Sequence, residues 1–246
     1  METFEEAHQR RLEVCITPAL FPVYYQNKDC VVVVIDIFRA TSAICTAFEN
    51  GVNSIIPVAS VSEAKQYQQK GYLAAAERNG EVVEGFELGN SPFHYVDSKL
   101  KGKDIVLSTT NGTKAIERAK AADHIIIGSF LNLSAVVEYL ERQNKHVILL
   151  CAGWKDRFNL EDTLFAGAVV DQLKVHPVFT GLADSSLAAL NLYQQAKSDL
   201  NGFLANSSHR RRLSRLNLEK DIDYCLQTNI SEKVPTFKGN ALFVAE

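Results

Sequence analysis

Asp36 ends an uninterrupted apolar run, Val31 to Ile35, in the segment VVVVIDIFRATS. A carboxylate at such a strand end is desolvated unless a metal, a cation or backbone donors hold it. Arg39 stands three residues on, and Thr41 and Ser42 open a helical pattern whose free N–H groups favour a phosphate or another anion. Two readings fit these residues: an Asp36–Arg39 ion pair beside an N-capping hydroxyl, or a site for a metal and an anion.

Other segments repeat the arrangement. In STTNGTKAI, Thr110, Asn111 and Thr113 place hydroxyl and amide groups beside a glycine that lets the chain turn into a helix. Ser129 and Asn132 in GSFLNLSAV do the same, with local capping as the plainer reading. In GFELGNSP, Asn90 precedes Ser91 and Pro92, a cap and a first helical residue. Just upstream, Glu77-Arg78 reads as another strand ending in a charge pair.

Glu161 and Asp162 sit where a helix begins, a place that favours carboxylates without any catalytic role. If they face the same crevice as Asp36, they share a divalent ion with it, and a few hard oxygen ligands suit Mg²⁺. The segment CAGWKDR, Cys151 to Arg157, matches the C-x5-R spacing of cysteine phosphatases, so thiolate attack is an alternative; otherwise Cys151 is a small buried side chain. Zinc-ligand spacing, a G-x-G-x-x-G fingerprint and a G-x-x-x-x-G-K-[ST] loop are absent from the sequence.

These residues need a scaffold that brings strand ends together. Continuous apolar runs predict strands over 30–37, 54–58, 105–108, 124–129 and 147–151, too apolar to have a wet face. Helical spacing predicts helices over 41–50, 62–70, 113–121, 133–143 and 160–174. The alternation implies an α/β chain with three layers, α/β/α, around a largely parallel or mixed sheet. In such sheets the ligand crevice lies outside the carboxyl ends of the strands, so the junctions at 35–42, 107–113, 127–134 and 150–162 are expected to share one site. Beyond residue 182 the pattern predicts helices over 185–204 and 213–226 and a closing strand or hairpin around Lys238-Gly239-Asn240. The chain reads as one domain over 1–246, or as two coupled lobes meeting near 115–125.

The balance of 46% hydrophobic and 22% charged residues is that of a globular protein, and a net charge of −3 gives no reason to expect nucleic acid as a partner. The local cluster His209, Arg210, Arg211, Arg212 and Arg215 reads as a solvated helix face or subunit contact, with help in admitting a doubly anionic substrate as the other use. Five scattered cysteines suggest a reducing compartment rather than a disulfide framework. With no apolar leader and no run long enough to span a bilayer, a cytoplasmic protein without membrane contact is expected. A homodimer is open to a chain of this size, although no segment identifies an interface.

Taken in order, VVVVIDIFRATS, GFELGNSP, STTNGTKAI, GSFLNLSAV and CAGWKDRFNLEDTLFAG resemble the 2-phosphosulfolactate phosphatases of coenzyme M biosynthesis over roughly residues 30 to 175. The resemblance implies an Mg²⁺-dependent acid phosphatase with its own α/β architecture, acting on (2R)-O-phospho-3-sulfolactate. It implies active-site positions at Asp36, Arg39, Thr110, Asn111, Asn132, Arg157, Glu161 and Asp162. On this reading Asp36, with Glu161 or Asp162, holds the metal, while Arg39, Asn111 and Arg157 act on the anionic substrate. Thr41, Ser42, Asn90, Ser91, Thr110, Thr113, Ser129 and Asn132 line it. Asp36 as a nucleophile and a non-catalytic binder of phosphorylated metabolites are the other readings.

Overall fold

The computed structural model describes residues 10–26, 29–179 and 181–245. Alternate residues of the strand Cys30–Ile35 enter two different cores: Val31, Val33 and Ile35 pack on one face of the sheet, and Cys30, Val32 and Val34 on the other. A strand wet on one face would alternate polar and apolar residues; this one has no polar residue because both faces are covered. Each fully buried Val or Ile side chain contributes about 1.5–3 kcal/mol relative to exposure.

The strands are β1 (Leu12–Cys15), β2 (Cys30–Ile35), β3 (Ser54–Pro57), β4 (Leu73–Arg78), β5 (Glu81–Val82), β6 (Asp104–Ser108), β7 (His124–Gly128), β8 (His146–Cys151), β9 (Pro235–Lys238) and β10 (Ala241–Val244). The helices are α1 (Phe21–Tyr24), α2 (Ala40–Glu49), α3 (Val61–Gln69), α4 (Gly112–Ala119), α5 (Leu133–Gln143), α6 (Leu160–Leu173), α7 (Asp184–Ala196), α8 (Leu200–Leu204), α9 (Ser208–Ser214) and α10 (Glu219–Cys225).

The described strands form one ten-stranded sheet in the order β1-β8-β2-β7-β9-β10-β3-β6-β4-β5. Strands β1, β8, β2 and β7 are mutually parallel, as are β3, β6 and β4. The hairpin β9–β10 lies between these two blocks and pairs antiparallel with β7 on one side and β3 on the other, so the blocks run in opposite senses. The sheet is therefore mixed, and the hairpin expected around Lys238-Gly239-Asn240 is the seam that joins its halves.

Helices cover both faces, which makes the three-layer α/β/α arrangement. Leu133, Val136, Leu140, Leu164 and Phe165 of α5 and α6 pack on the Val31 face, and Ala43, Ile44, Ala47, Ala115 and Ile116 of α2 and α4 on the Val32 face. The two helices predicted beyond residue 182 are each broken. The first stops at Ala196 and restarts at Leu200, where the Asp199 carboxylate accepts the Gly202 N–H at 2.8 Å; the second is interrupted at Asn217, whose φ is +56°. An N-capping side chain starts a new helix, and a left-handed residue interrupts a helical run. No helix among the described residues is long and apolar enough to cross a membrane.

Candidate active site

The turn from β2 into α2 is locked by its own side chains. The Asp36 N–H donates to Thr41 Oγ1 at 3.0 Å, Ser42 Oγ donates to the Ile37 carbonyl at 2.9 Å, and the Thr41 N–H returns to the Asp36 carbonyl at 3.0 Å. These bonds hold the Asp36 carboxylate in a cleft whose walls also carry Phe38, Arg39, Glu77, Asn90, Thr110, Asn111, Trp154, His209 and Arg212. Burial pushes the Asp36 carboxyl up from 3.8 to about 6, against the pull of His209, and the negative charges of Glu77 and Glu161 act in the same upward direction.

Glu77 is the second carboxylate on the cleft wall and is 5% exposed. It sits at the end of β4, before the Asn79-Gly80 turn into β5. Both turn residues have positive φ, +57° and +96°, the geometry that a two-residue hairpin of right-handed twist needs. Glu77 Oε1 accepts the Gly80 N–H at 2.5 Å, and Oε2 accepts the Thr110 N–H and hydroxyl, each at 3.1 Å. The hairpin of one strand and the β6–α4 loop of its neighbour are thus tied together at the cleft.

Gly112 begins α4 where a side chain would not fit: a Cβ there would lie 2.4 Å from Ala40 Cβ and 2.9 Å from Asp36 Oδ2. Its absence lets the start of α4 approach Asp36. Asn111 beside it accepts the Lys155 N–H on Oδ1 at 3.2 Å, which directs the loop after β8 toward the same cleft.

The remaining wall comes from the C-terminal third. His209 of α9 holds Glu161 Oε1 on its Nδ1 at 2.5 Å, and the residue lines the cleft. Arg212 lies over the Trp154 ring, 4.3 Å from its centroid. Arg39 forms a buried ion pair with Asp221 of α10 and donates to the Gly80 carbonyl at 2.6 Å.

The profile of the 2-phosphosulpholactate phosphatase family matches residues 15–240. The chain belongs to that family. Proteins named probable 2-phosphosulfolactate phosphatase are similar over most of its length. The one from Thermotoga petrophila is 44% identical and the one from Thermotoga maritima 42%, each over 87% of this chain and 92% of the relative. The one from Caldanaerobacter subterraneus subsp. tengcongensis is 41% identical over 86% of this chain and 89% of the relative. The family name is that of a phosphoric monoester hydrolase, and the small polar cleft suits a small-molecule substrate.

Within this family member the expected residues divide into two groups. Asp36, Arg39, Asn90, Thr110 and Asn111 meet in the cleft. Thr41, Ser42 and Thr113 do not line it; their hydroxyls bond the backbone of the loops that do, Thr113 exchanging bonds with Thr109 at 3.1–3.2 Å. Ser91 caps the short helix at Pro92, and Asn132 closes its own turn through the Ser129 N–H and the Ile127 and Lys233 carbonyls. The β7–α5 junction of Ser129 and Asn132 thus stays outside the cleft that the other three strand ends share.

Several pairings differ from expectation. Arg39 pairs with Asp221, not with Asp36, because α10 brings a carboxylate to its guanidinium. Asp162 is 1% exposed and has both oxygens engaged, Oδ1 by the Ile37 N–H at 2.9 Å and Oδ2 by the Gly153 N–H at 3.0 Å. It braces the β2–α2 and β8–α6 loops against each other. Glu161 is fully buried behind His209, and among the described residues no three His, Cys, Asp or Glu side chains form a metal cluster. Arg157 is exposed at a tight turn, where its backbone pairs with Trp154 at 2.9 and 3.0 Å. Cys151 is buried among apolar neighbours, and burial pushes its thiol well above the ordinary value, which disfavours the thiolate that cysteine catalysis requires.

Sequence reading named Glu77 only as part of a charge pair at a strand end, His209 and Arg212 only within a basic cluster whose second use was to admit a doubly anionic substrate, and Asp221 not at all. For Glu77 a signal was present, since Asn-Gly after an apolar run marks a two-residue hairpin and places the preceding strand end. For the other three, nothing in the local pattern separates them from a charged surface helix.

Proposed function

We propose that the protein is an Mg²⁺-dependent phosphatase that hydrolyses (2R)-O-phospho-3-sulfolactate to 3-sulfolactate and phosphate. The observation that carries this reading is the pair of buried carboxylates, Asp36 and Glu77, on the wall of one small cleft that also presents Arg39, Thr110, Asn111 and His209. Two carboxylates would repel a phosphate dianion. The donor set therefore fits a divalent cation, which reverses the local charge, and Mg²⁺ is commonly held by one or two carboxylates together with water and substrate oxygens. Asp36 and Glu77 would hold it because both line the cleft, whereas Glu161 and Asp162 do not; Asp162 has both oxygens on backbone N–H groups and Glu161 has Oε1 on His209.

When bound, the ion supplies charge neutralisation at the phosphoryl oxygens and a more acidic water. The chain supplies position. Arg39, steadied by Asp221 and Gly80, lines the cleft and adds positive charge there, and Asn111, whose Oδ1 is taken by Lys155, has its Nδ2 donor left for a phosphoryl oxygen. Thr110 is kept beside them by Glu77. His209, with Nδ1 fixed on Glu161, has Nε2 available to give a proton to the departing ester oxygen.

The test is phosphate release from a panel of small phosphate esters, with and without EDTA. Release from 2-phosphosulfolactate that is abolished by EDTA and restored by Mg²⁺ is the expected result. Binding of these esters with no release would sink the reading in favour of a non-catalytic binder.

A further inference from the structure

Two arginines and a histidine border the cleft, and two of the three are already engaged. The Arg39 guanidinium is taken up by Asp221 and the Gly80 carbonyl, and His209 is held by Glu161. Arg212 has no ion pair among the described residues, and its Nε is buried with no hydrogen-bond partner. An unpaired, partly buried donor carries a desolvation cost unless something else meets it.

Its setting defines what that something is. The guanidinium rests over the Trp154 indole, 4.3 Å from the ring centroid. Stacking on an aromatic face restrains a guanidinium while leaving its N–H edge open, and that edge matches two oxygens of one planar or tetrahedral acid group. Lys155 also lies over the same ring, at 4.7 Å, which adds positive charge beside Trp154. The phosphoryl-directed groups Asp36, Glu77, Thr110 and Asn111 come from the ends of β2, β4 and β6, whereas Arg212 enters from α9 and Trp154 from the loop after β8.

We propose that Arg212, backed by Trp154, is the specificity-determining residue of the cleft, binding a second acidic group, a sulfonate or carboxylate, on the phosphate ester. This deepens the phosphatase reading and rests on it for the identity of the ester. Arg212 selects esters that carry an acid beyond the phosphate, and it discriminates by binding.

The experiment compares the full chain with its Arg212→Met and Arg212→Lys variants in the presence of Mg²⁺. Two esters are used: 2-phosphosulfolactate, and isopropyl phosphate, which has no second acid. Losing a charge-assisted bond of about 1.5–3 kcal/mol corresponds to roughly ten- to hundredfold in affinity. The ratio of kcat/KM for the acidic over the neutral ester is therefore expected to fall at least tenfold in Arg212→Met, through KM, with Arg212→Lys between it and the parent. A ratio that holds in both variants would overturn the proposal, because it would mean Arg212 serves the phosphate or only the fold.

Calorimetric titration with 3-sulfolactate provides a reading that needs no turnover. Binding to the parent protein that weakens at least tenfold in Arg212→Met supports the subsite. Absence of binding to the parent, or equal binding to both, overturns it. If the parent releases phosphate from neither ester, the phosphatase reading fails, and the titration decides the Arg212 subsite by itself.

Discussion

Asp221 and Arg39, 182 residues apart in the chain, form a buried ion pair at the edge of the cleft. The pair joins α10, in the C-terminal third, to the loop after β2, so the tail completes the site rather than merely covering the sheet.

Removing one partner of a buried pair leaves an uncompensated charge, at a cost of about 3–5 kcal/mol. Asp221→Ala is expected to lower stability by that order in urea unfolding and to reduce kcat/KM at least tenfold, since Arg39 would lose its orientation. Full activity in a folded Asp221→Ala protein would contradict the positioning role.

Asp36 gives a pH signature. Its carboxyl is raised in the folded protein from 3.8 to about 6, so between those values the folded state holds a proton that the unfolded chain releases. The destabilisation is absent below about pH 4, grows through that window, and is complete above about pH 6, where a shift of this size amounts to about 3 kcal/mol. Metal-free Asp36→Asn is therefore expected to be more stable than the parent at pH 7, with the advantage fading as the pH falls to 4. Added Mg²⁺ should raise the melting temperature of the parent at pH 7 and leave the variant unmoved. A stability difference that does not change with pH would refute the assignment.

Gly112→Ala tests the approach of α4 to Asp36. With the new Cβ 2.4 Å from Ala40 Cβ and 2.9 Å from Asp36 Oδ2, the helix start must move away. Overpacking of this kind costs about 1–3 kcal/mol, and kcat is expected to fall at least tenfold while the protein stays folded. Steady-state kinetics beside a thermal melt would check it, and an unchanged kcat would show that this close approach is not needed.

Cys151→Ala and Arg157→Ala separate the two phosphatase chemistries. The thiol is buried with its acidity suppressed, and Arg157 is on the surface, so each variant is expected to keep kcat/KM within about threefold. Asp36→Asn or Glu77→Gln should lose at least a hundredfold. Loss of turnover in Cys151→Ala, or inactivation of the folded parent by iodoacetamide, would return the cysteine mechanism to contention.

How far the chain could be read ahead of its structure follows the range of the forces involved. Strands β2, β6, β7 and β8 and helices α2 to α6 were legible to within a few residues because their signals are local: continuous β-branched runs, helical spacing, and hydroxyls at the turns. The same local chemistry marked Asp36, Thr110 and Asn111. It also marked Ser129 and Asn132, where the Asn132 side chain closes the turn on the Ser129 N–H and the Ile127 carbonyl, because a cap and a ligand site use the same residue types.

What only the tertiary structure decided is which charges meet. The β9–β10 seam sets two parallel blocks in opposite senses, and α9 and α10 return over their strand ends, so that Asp221 finds Arg39, His209 finds Glu161 and Arg212 finds Trp154. None of these pairs has a sequence spacing that periodicity could detect. By itself the sequence determined a two-sided buried sheet and a buried acid at the end of β2, since apolar burial and turn chemistry act over a few residues. The partners of that acid are set by long-range packing, which depends on how every other element fits.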